Sequence, residues 1–93
     1  MTFYYVYILR SQKDGRLYIG YTGDLKARLE KHNSGGNKST SNRRPLNLIH
    51  HEAFSSEQDA RTRERFLKTG HGREEIKILL QNTLKQSDTA GMV

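Results

Sequence analysis

Phe3-Tyr4-Tyr5-Val6-Tyr7-Ile8-Leu9 and Leu17-Tyr18-Ile19-Gly20-Tyr21 flank the pair Asp14-Gly15, and the reading of this stretch decides the fold. Aromatic and β-branched residues suit a pleated, half-buried surface, and Asp-Gly is a strong hairpin-turn pair. The N-terminus therefore reads as a β-hairpin. A two-residue turn at Asp14-Gly15 places Tyr7 opposite Thr22, on the same sheet face as Gly20 and Tyr18. An even slip of register keeps both phenols on that face and could set Tyr7 opposite Tyr18, whereas an odd slip would separate them. Gly20 inside a strand marks a bulge or a place where another backbone or a ligand comes close.

Beyond the hairpin, Thr22-Gly23 ends the strand and Asp24 is placed to cap a helix from Leu25 to about Asn33, which Gly35-Gly36 terminates. The buried side of that helix carries Leu25 and Leu29. The polar, glycine-containing stretch from Asn33 to Pro45 has no helix or strand periodicity and reads as a functional or mobile loop. Leu46 to Phe54 reads as a third strand, and Ser55 with Gln58 matches a capping box opening a second helix that runs to about Lys68. Gly70-His71-Gly72 breaks it. Ile76, Leu79, Leu80 and Leu84 then follow the spacing of an amphipathic third helix. The sum is an α+β domain: a three-stranded, mainly antiparallel sheet flanked by about three helices. One domain over residues 1–84 is expected, with a disordered tail at 85–93.

The chain has 93 residues, 33% of them apolar, which suffices for one core and leaves no room for a large enclosed cavity. Sixteen Lys and Arg against ten Asp and Glu give a net charge of +6 and favour a polyanionic partner. The absence of cysteine excludes disulfides, thiolate metal sites and a cysteine nucleophile, and suits a cytoplasmic address. The longest apolar run, Phe3 to Leu9, falls far short of the ~20 residues of a membrane helix. No membrane partner is expected.

Several side chains could carry chemistry. Tyr7 and Tyr18 share a face, although aromatic packing across a hairpin explains either alone. Arg28 and His32 are four residues apart on the first helix and overhang the sheet, where the plain alternatives are a solvated arginine and a helix-end histidine. Glu64 lies at the edge of the apolar stripe of the second helix. It reads either as an i, i+4 partner of Lys68 or as the single carboxylate that holds Mg²⁺ when phosphates and waters complete the shell. His50 and His51 point to opposite sheet faces and cannot ligate one metal together, and neither a nucleophile elbow nor a Walker-type glycine loop is present.

The ordered set Tyr5-Val6-Tyr7, ten further residues, Tyr18-Ile19-Gly20, then Asp24 to Leu29 with His32, then Ala60 to Glu64, resembles the GIY-YIG nuclease superfamily across roughly residues 3–80. Glu64 to Gly70 with Gly72-Arg73 resembles its short stand-alone members. The resemblance implies that Tyr7 and Tyr18 are the motif tyrosines, Arg28 the catalytic arginine, His32 the histidine or tyrosine one turn later, and Glu64 the ligand of one Mg²⁺ or Mn²⁺. Tyr5 and Val6 stand where the first motif has glycine and isoleucine. Tyr21 stands where repair members carry lysine.

The implied activity is metal-dependent endonucleolytic cleavage of nucleic acid, DNA before RNA, with low sequence specificity. In-line attack builds charge on phosphoryl oxygens and on the leaving oxygen, which Arg28 and a metal on Glu64 would stabilise. Tyr7, assisted by His32, is the expected general base, with Tyr18 positioning water or phosphate and the role swap between the tyrosines left open. Lys38, Arg43, Arg44 and Arg73 are expected to bind backbone phosphates, and a partner protein could supply targeting. The alternatives are a non-catalytic nucleic-acid-binding module on the same fold and a protein-interaction scaffold.

Overall fold

The structure, a computed structural model, describes residues 2–86. Strand β1 (Tyr4–Ser11) is the middle of a three-stranded sheet, with β2 (Leu17–Thr22) and β3 (Leu46–Phe54) on either side, both antiparallel to it. Helix α1 (Leu25–Asn33) follows β2, and α2 (Glu57–Leu67), α3 (Gly70–Leu79) and α4 (Gln81–Lys85) follow β3. The α+β class and the antiparallel sheet are as expected, with four helices in place of about three. Among the described residues no helix is long and apolar enough to cross a membrane.

The period of two along β1 sorts two cores. Val6 and Ile8 pack with Ala60 and Leu67 of α2, Ile76 of α3, and Leu80. Tyr7 and Leu9 turn the other way and bury themselves with Leu46 against Leu25 and Leu29 of α1. All four of Val6 to Leu9 are buried, because the central strand is covered on both faces. Tyr7 is thereby placed under α1.

The hairpin register differs from the two-residue expectation. Tyr7 pairs with Gly20 and Leu9 with Tyr18, so the register slips by two residues. The cause is a longer turn built on Ser11, whose hydroxyl oxygen accepts from the amides of Lys13 at 3.0 Å and Asp14 at 3.3 Å, while Asp14 Oδ1 accepts from the Arg16 amide at 2.9 Å. Gly15 supplies the left-handed residue, at φ +73°. An even slip preserves the face, and Tyr7, Gly20 and Tyr18 share one as anticipated. Gly20 is no bulge, and what approaches it is neither a backbone nor a ligand but the Tyr7 phenol, which a Cβ at position 20 would overlap. The irregularity lies instead between β1 and β3, at Ile8/Leu9.

Three helix details also depart from expectation. Ser56, not Ser55, caps α2, its side chain accepting from the Asp59 amide at 3.3 Å. Gly70-His71-Gly72 does not lie between helices as a breaker but opens α3, with Thr69 Oγ1 accepting from the Gly72 amide at 3.1 Å. The buried stripe of α3 runs Gly72, Ile76, Leu80, four residues apart, which leaves Leu79 off the stripe and 48% exposed. A break at Leu80 starts α4. The expected tail is ordered at its first two positions, since Lys85 belongs to α4 and the Gln86 carbonyl accepts from Arg10 Nη1 at 2.8 Å. The rest of that expectation, residues 87–93, lies outside the described residues.

A Cβ at Gly72 would strike the Phe66 carbonyl and the Leu67 Cα, backbone atoms that cannot rotate away, while open space surrounds a Cβ at Gly70 two residues earlier. Gly72→Ala is expected to destabilise by about 1–3 kcal/mol or more through overpacking. Gly70→Ala is expected to stabilise by about 0.4–1 kcal/mol through reduced unfolded-chain entropy. Urea unfolding of both variants checks the opposite signs; equal effects would remove the close α2–α3 contact as the cause.

Candidate active site

Tyr7 stands in the centre of the sheet under α1, 3% exposed, and its hydroxyl meets His32 Nε2 at 3.0 Å. The two rings are edge to face, with centroids 5.8 Å apart. His32 closes α1 and is the buried residue of that helix, at 4% exposure. It was expected to overhang the sheet beside the leucine stripe; it is instead more deeply inserted than Leu25 or Leu29, which are half-buried. The absence of a side chain at Gly20 lets the phenol extend sideways towards it.

The second imidazole nitrogen is also engaged. His32 Nδ1 lies 2.8 Å from the Thr40 hydroxyl, which reaches the Asn37 carbonyl at 3.5 Å. Thr40 belongs to the polar stretch after α1, which is fastened at several points rather than loose. Asn33 pairs with the Leu46 backbone through both its amide atoms, at 3.0 and 2.8 Å, and the Ser11 hydroxyl donates to the Arg43 carbonyl at 2.6 Å. A short 3₁₀ turn, Ser41–Arg43, lies between.

Charge around this pair comes from α1 and α2. Burial raises the Tyr7 phenol above its ordinary value; the Arg28 guanidinium beside it works in the opposite direction, and the Glu64 carboxylate adds to the rise. Burial holds His32 below the ordinary imidazole value, and the positive charges of Arg28 and Lys31 push the same way. Both groups are therefore neutral at pH 7. Arg28 and Glu64, from different helices, act on one phenol, so four of the five anticipated residues converge. Glu64 also holds Lys68 Nζ at 3.0 Å, the helical ion pair anticipated as its plain alternative.

Tyr18, the fifth, sits two pairs further along β2 opposite Leu9 and lines a groove with Arg16, Lys68, Arg73 and Lys77. Arg73 thus faces an open, basic channel along the β2 edge. The other three expected phosphate contacts are placed differently. Arg43 Nε pairs with Asp14 at 3.1 Å, Arg44 Nε donates to the Ser41 carbonyl at 2.8 Å, and Lys38 is exposed on the stretch that carries Thr40. Arg43 and Arg44 are committed to holding that stretch in shape.

Among the described residues no three His, Asp or Glu gather as a metal cage. What the site offers is one partly shielded carboxylate, Glu64, whose single ion pair is worth a few tenths of a kcal/mol. That donor set suits a hard cation that retains waters and takes substrate oxygens, and does not suit zinc. Sequence reasoning missed Thr40 and Asn33, whose roles depend on contacts across the fold, and Arg16 and Lys68 as groove residues. Only the cluster of basic residues around them hinted at the last two.

Comparison with known proteins agrees with this fold. The sequence model of the GIY-YIG catalytic domain matches residues 3–77. A UPF0213 protein of Staphylococcus haemolyticus is 42% identical over 80 residues, covering 85% of this chain and 96% of its own length. A UPF0213 protein of Bacillus pumilus is 48% identical over 67 residues, covering 71% and 67%. The solution structure of a UPF0213 protein from Bacillus halodurans superposes with a TM-score of 0.53 at 40% identity, covering 83% of this chain and 84% of that one.

The buried histidine has a consequence for stability. An unfolded-chain histidine titrates near pH ~6.5, and the folded His32 titrates lower. Between the two values the unfolded chain binds more protons, so the contribution of His32 to stability is full above about pH 6.5 and is lost as pH falls towards the folded value. Urea unfolding at pH 7.5 and 5.5 should show this loss in the wild type and a smaller one in His32→Gln. Equal pH slopes would contradict a neutral, buried His32.

Proposed function

Because the chain belongs to the GIY-YIG catalytic-domain family, we propose that it is a metal-dependent endonuclease that hydrolyses nucleic-acid phosphodiester bonds, DNA before RNA, with low sequence specificity. The observation that carries this reading is the Tyr7–His32 hydrogen bond beside Arg28 and within electrostatic reach of Glu64. A pure binding surface has no use for a buried, neutral proton relay next to a carboxylate and a guanidinium.

Tyr7 is the general base, with His32 as the acceptor behind it. A phenol near its ordinary value of about 10 is three units from neutrality, roughly 4 kcal/mol against phenolate, and burial makes this worse. Moving the proton to a histidine near 6.5 before anything else happens costs about 5 kcal/mol on ordinary values, and the depressed His32 increases it. A standing phenolate–imidazolium pair is therefore disfavoured. The favourable sequence is concerted: as the attacking water gives its proton to the Tyr7 oxygen, Tyr7 gives its own to His32 Nε2. No free phenolate is required.

Arg28 supplies donors for the phosphoryl oxygens on which charge grows. Tyr18, on the same sheet face and in the lining of the groove, orients water or phosphate. Mg²⁺ or Mn²⁺ held by Glu64 would stabilise the leaving oxygen as a Lewis acid. Lys68, one turn from Glu64, would be released from its ion pair to a neighbouring phosphate. The open groove with Arg16, Arg73 and Lys77 contacts backbone phosphates, giving affinity without sequence reading.

One observation favours a second reading, a nucleic-acid-binding module without catalysis: Glu64 already holds Lys68. A plasmid-nicking assay with Mg²⁺ separates the two. Glu64→Ala and Tyr7→Phe are expected to lower nicking by at least about 100-fold, in line with the loss of a general base or charge stabiliser, with DNA affinity largely kept. Tyr18→Phe should cost less than Tyr7→Phe. Nicking unaffected by Glu64→Ala would leave the binding module as the correct reading, and near-native Tyr7→Phe would reject the base assignment. Arg73→Ala should weaken DNA binding and reduce the salt slope by about one unit or less; an unchanged slope would remove the groove as the phosphate track.

A further inference from the structure

We propose that Thr40 is a positioning residue that fixes His32 in the tautomer protonated at Nδ1, so that a bare Nε2 faces the Tyr7 hydroxyl as its proton acceptor. The purpose assigned to that tautomer rests on the nuclease reading; the tautomer itself does not.

The argument is a count of hydrogens along a buried chain of contacts. Thr40 is 1% exposed, so its hydroxyl has no water to turn to, and it has one hydrogen to give. Two acceptors lie within reach of that hydrogen: His32 Nδ1 at 2.8 Å and the Asn37 carbonyl at 3.5 Å. If the hydrogen goes to the carbonyl, Nδ1 must carry a proton and donate to Oγ1. If it goes to Nδ1, the imidazole proton moves to Nε2 and points at Tyr7.

The far end of the chain decides between these. The Tyr7 oxygen has the Arg28 guanidinium beside it, a group that can only donate. With Nε2 protonated, the phenol oxygen would face the His32 N–H with the Arg28 guanidinium beside it, and its own hydrogen, without a protein acceptor, would turn to the place where an attacking water sits. With Nε2 bare, the hydrogens run one way along the chain, Tyr7 to Nε2, Nδ1–H to Thr40 and Thr40 to Asn37, with the Arg28 guanidinium beside the Tyr7 oxygen. The second arrangement completes the chain within the protein, and it points protons away from the place where an attacking water would sit, so that the phenol oxygen is free to accept from it.

This gives the stretch after α1 a function that its composition conceals. The Asn33 clamp on Leu46 and the Ser11 bond to the Arg43 carbonyl hold a segment without periodicity in one shape, and Thr40 is its buried anchor. The imidazole receives its direction from that segment rather than from its own helix.

The test reads the tautomer directly. Long-range proton–nitrogen correlation spectra of uniformly ¹⁵N-labelled protein at pH 7.5 should show His32 with a protonated, pyrrole-type Nδ1 and an unprotonated, pyridine-type Nε2. Thr40→Ser should keep this pattern, and Thr40→Val, close in shape but without the oxygen, should lose it in favour of Nε2–H. In Mg²⁺-dependent plasmid nicking, Thr40→Val should lower kcat by about tenfold or more with KM little changed, and Thr40→Ser should restore most of the rate. A wild-type His32 protonated at Nε2, or a Thr40→Val spectrum identical to wild type, overturns the inference. So does wild-type nicking by Thr40→Val once its tautomer has shifted. Should Thr40→Val not fold, the wild-type and Thr40→Ser spectra decide. If the spectra behave as expected while the wild type nicks no substrate, the tautomer assignment holds and the nuclease reading is what falls.

Discussion

The phenol of Tyr7 can reach across to α1 only because Gly20, its partner on β2, carries no side chain. That vacancy is the constraint on which the rest of the site depends. Any Cβ there would push the ring off its path and out of hydrogen-bonding distance of His32. The strand loses some intrinsic stability to a glycine, and the cross-strand contact is recovered by packing an aromatic ring over the exposed backbone. In this sense Tyr7 is both a core residue, buried with Leu9 and Leu46, and the one member of that core with a reactive end.

Burial then shapes the chemistry more than charge does. Desolvation is the leading influence on both partners, and it acts in opposite directions on them: it raises the acid and lowers the base. Each is held in its uncharged form, and proton transfer from one to the other becomes less favourable than between the same groups in water. A site organised to create phenolate at rest would place its cations so as to overcome burial. Here Arg28 only moderates the shift on Tyr7, and its positive charge helps keep His32 neutral. On the proposed reading, the combination suits a relay, in which a proton leaves only as another arrives.

Much of this was legible in the sequence, and the boundary is a physical one. Parity along a strand is robust, because a register error of two residues changes the partner of Tyr7 without changing its face, so the association of Tyr7, Gly20 and Tyr18 survived a wrong turn length. Helix spacing likewise placed Arg28 and His32 together, and Asp24 capped α1 as its position suggested. What escaped was set by tertiary contact. Gly72 was read as a stop because glycine is a poor helix former, whereas its place inside α3 follows from the approach of the α2 backbone. Thr40 sits among Ser39 and Ser41 with nothing local to distinguish it; only the arrival of His32 from α1 singles it out.

The same limit applies to charge. A net +6 describes the whole chain, but the field at the groove depends on which cations are already satisfied. Arg63 is bound to Glu52 and Glu75, tying α2 to β3 and α3, and Arg61 lies over Tyr21 and pairs with Glu57. Arg43 is occupied by Asp14. These guanidiniums support the frame. Around the β2 edge the balance differs: Lys77 pairs with the one acidic residue that lines the groove, Glu74, and Arg16, Lys68 and Arg73 line it as well. Lys68 is shared between the two roles, since its partner Glu64 is also the carboxylate that acts on Tyr7. A cation arriving at Glu64 would therefore change the groove as well as the relay: it would release Lys68 to the phosphates and reduce the negative charge that raises the phenol. On the proposed reading, substrate grip and base strength would be coupled through that one glutamate.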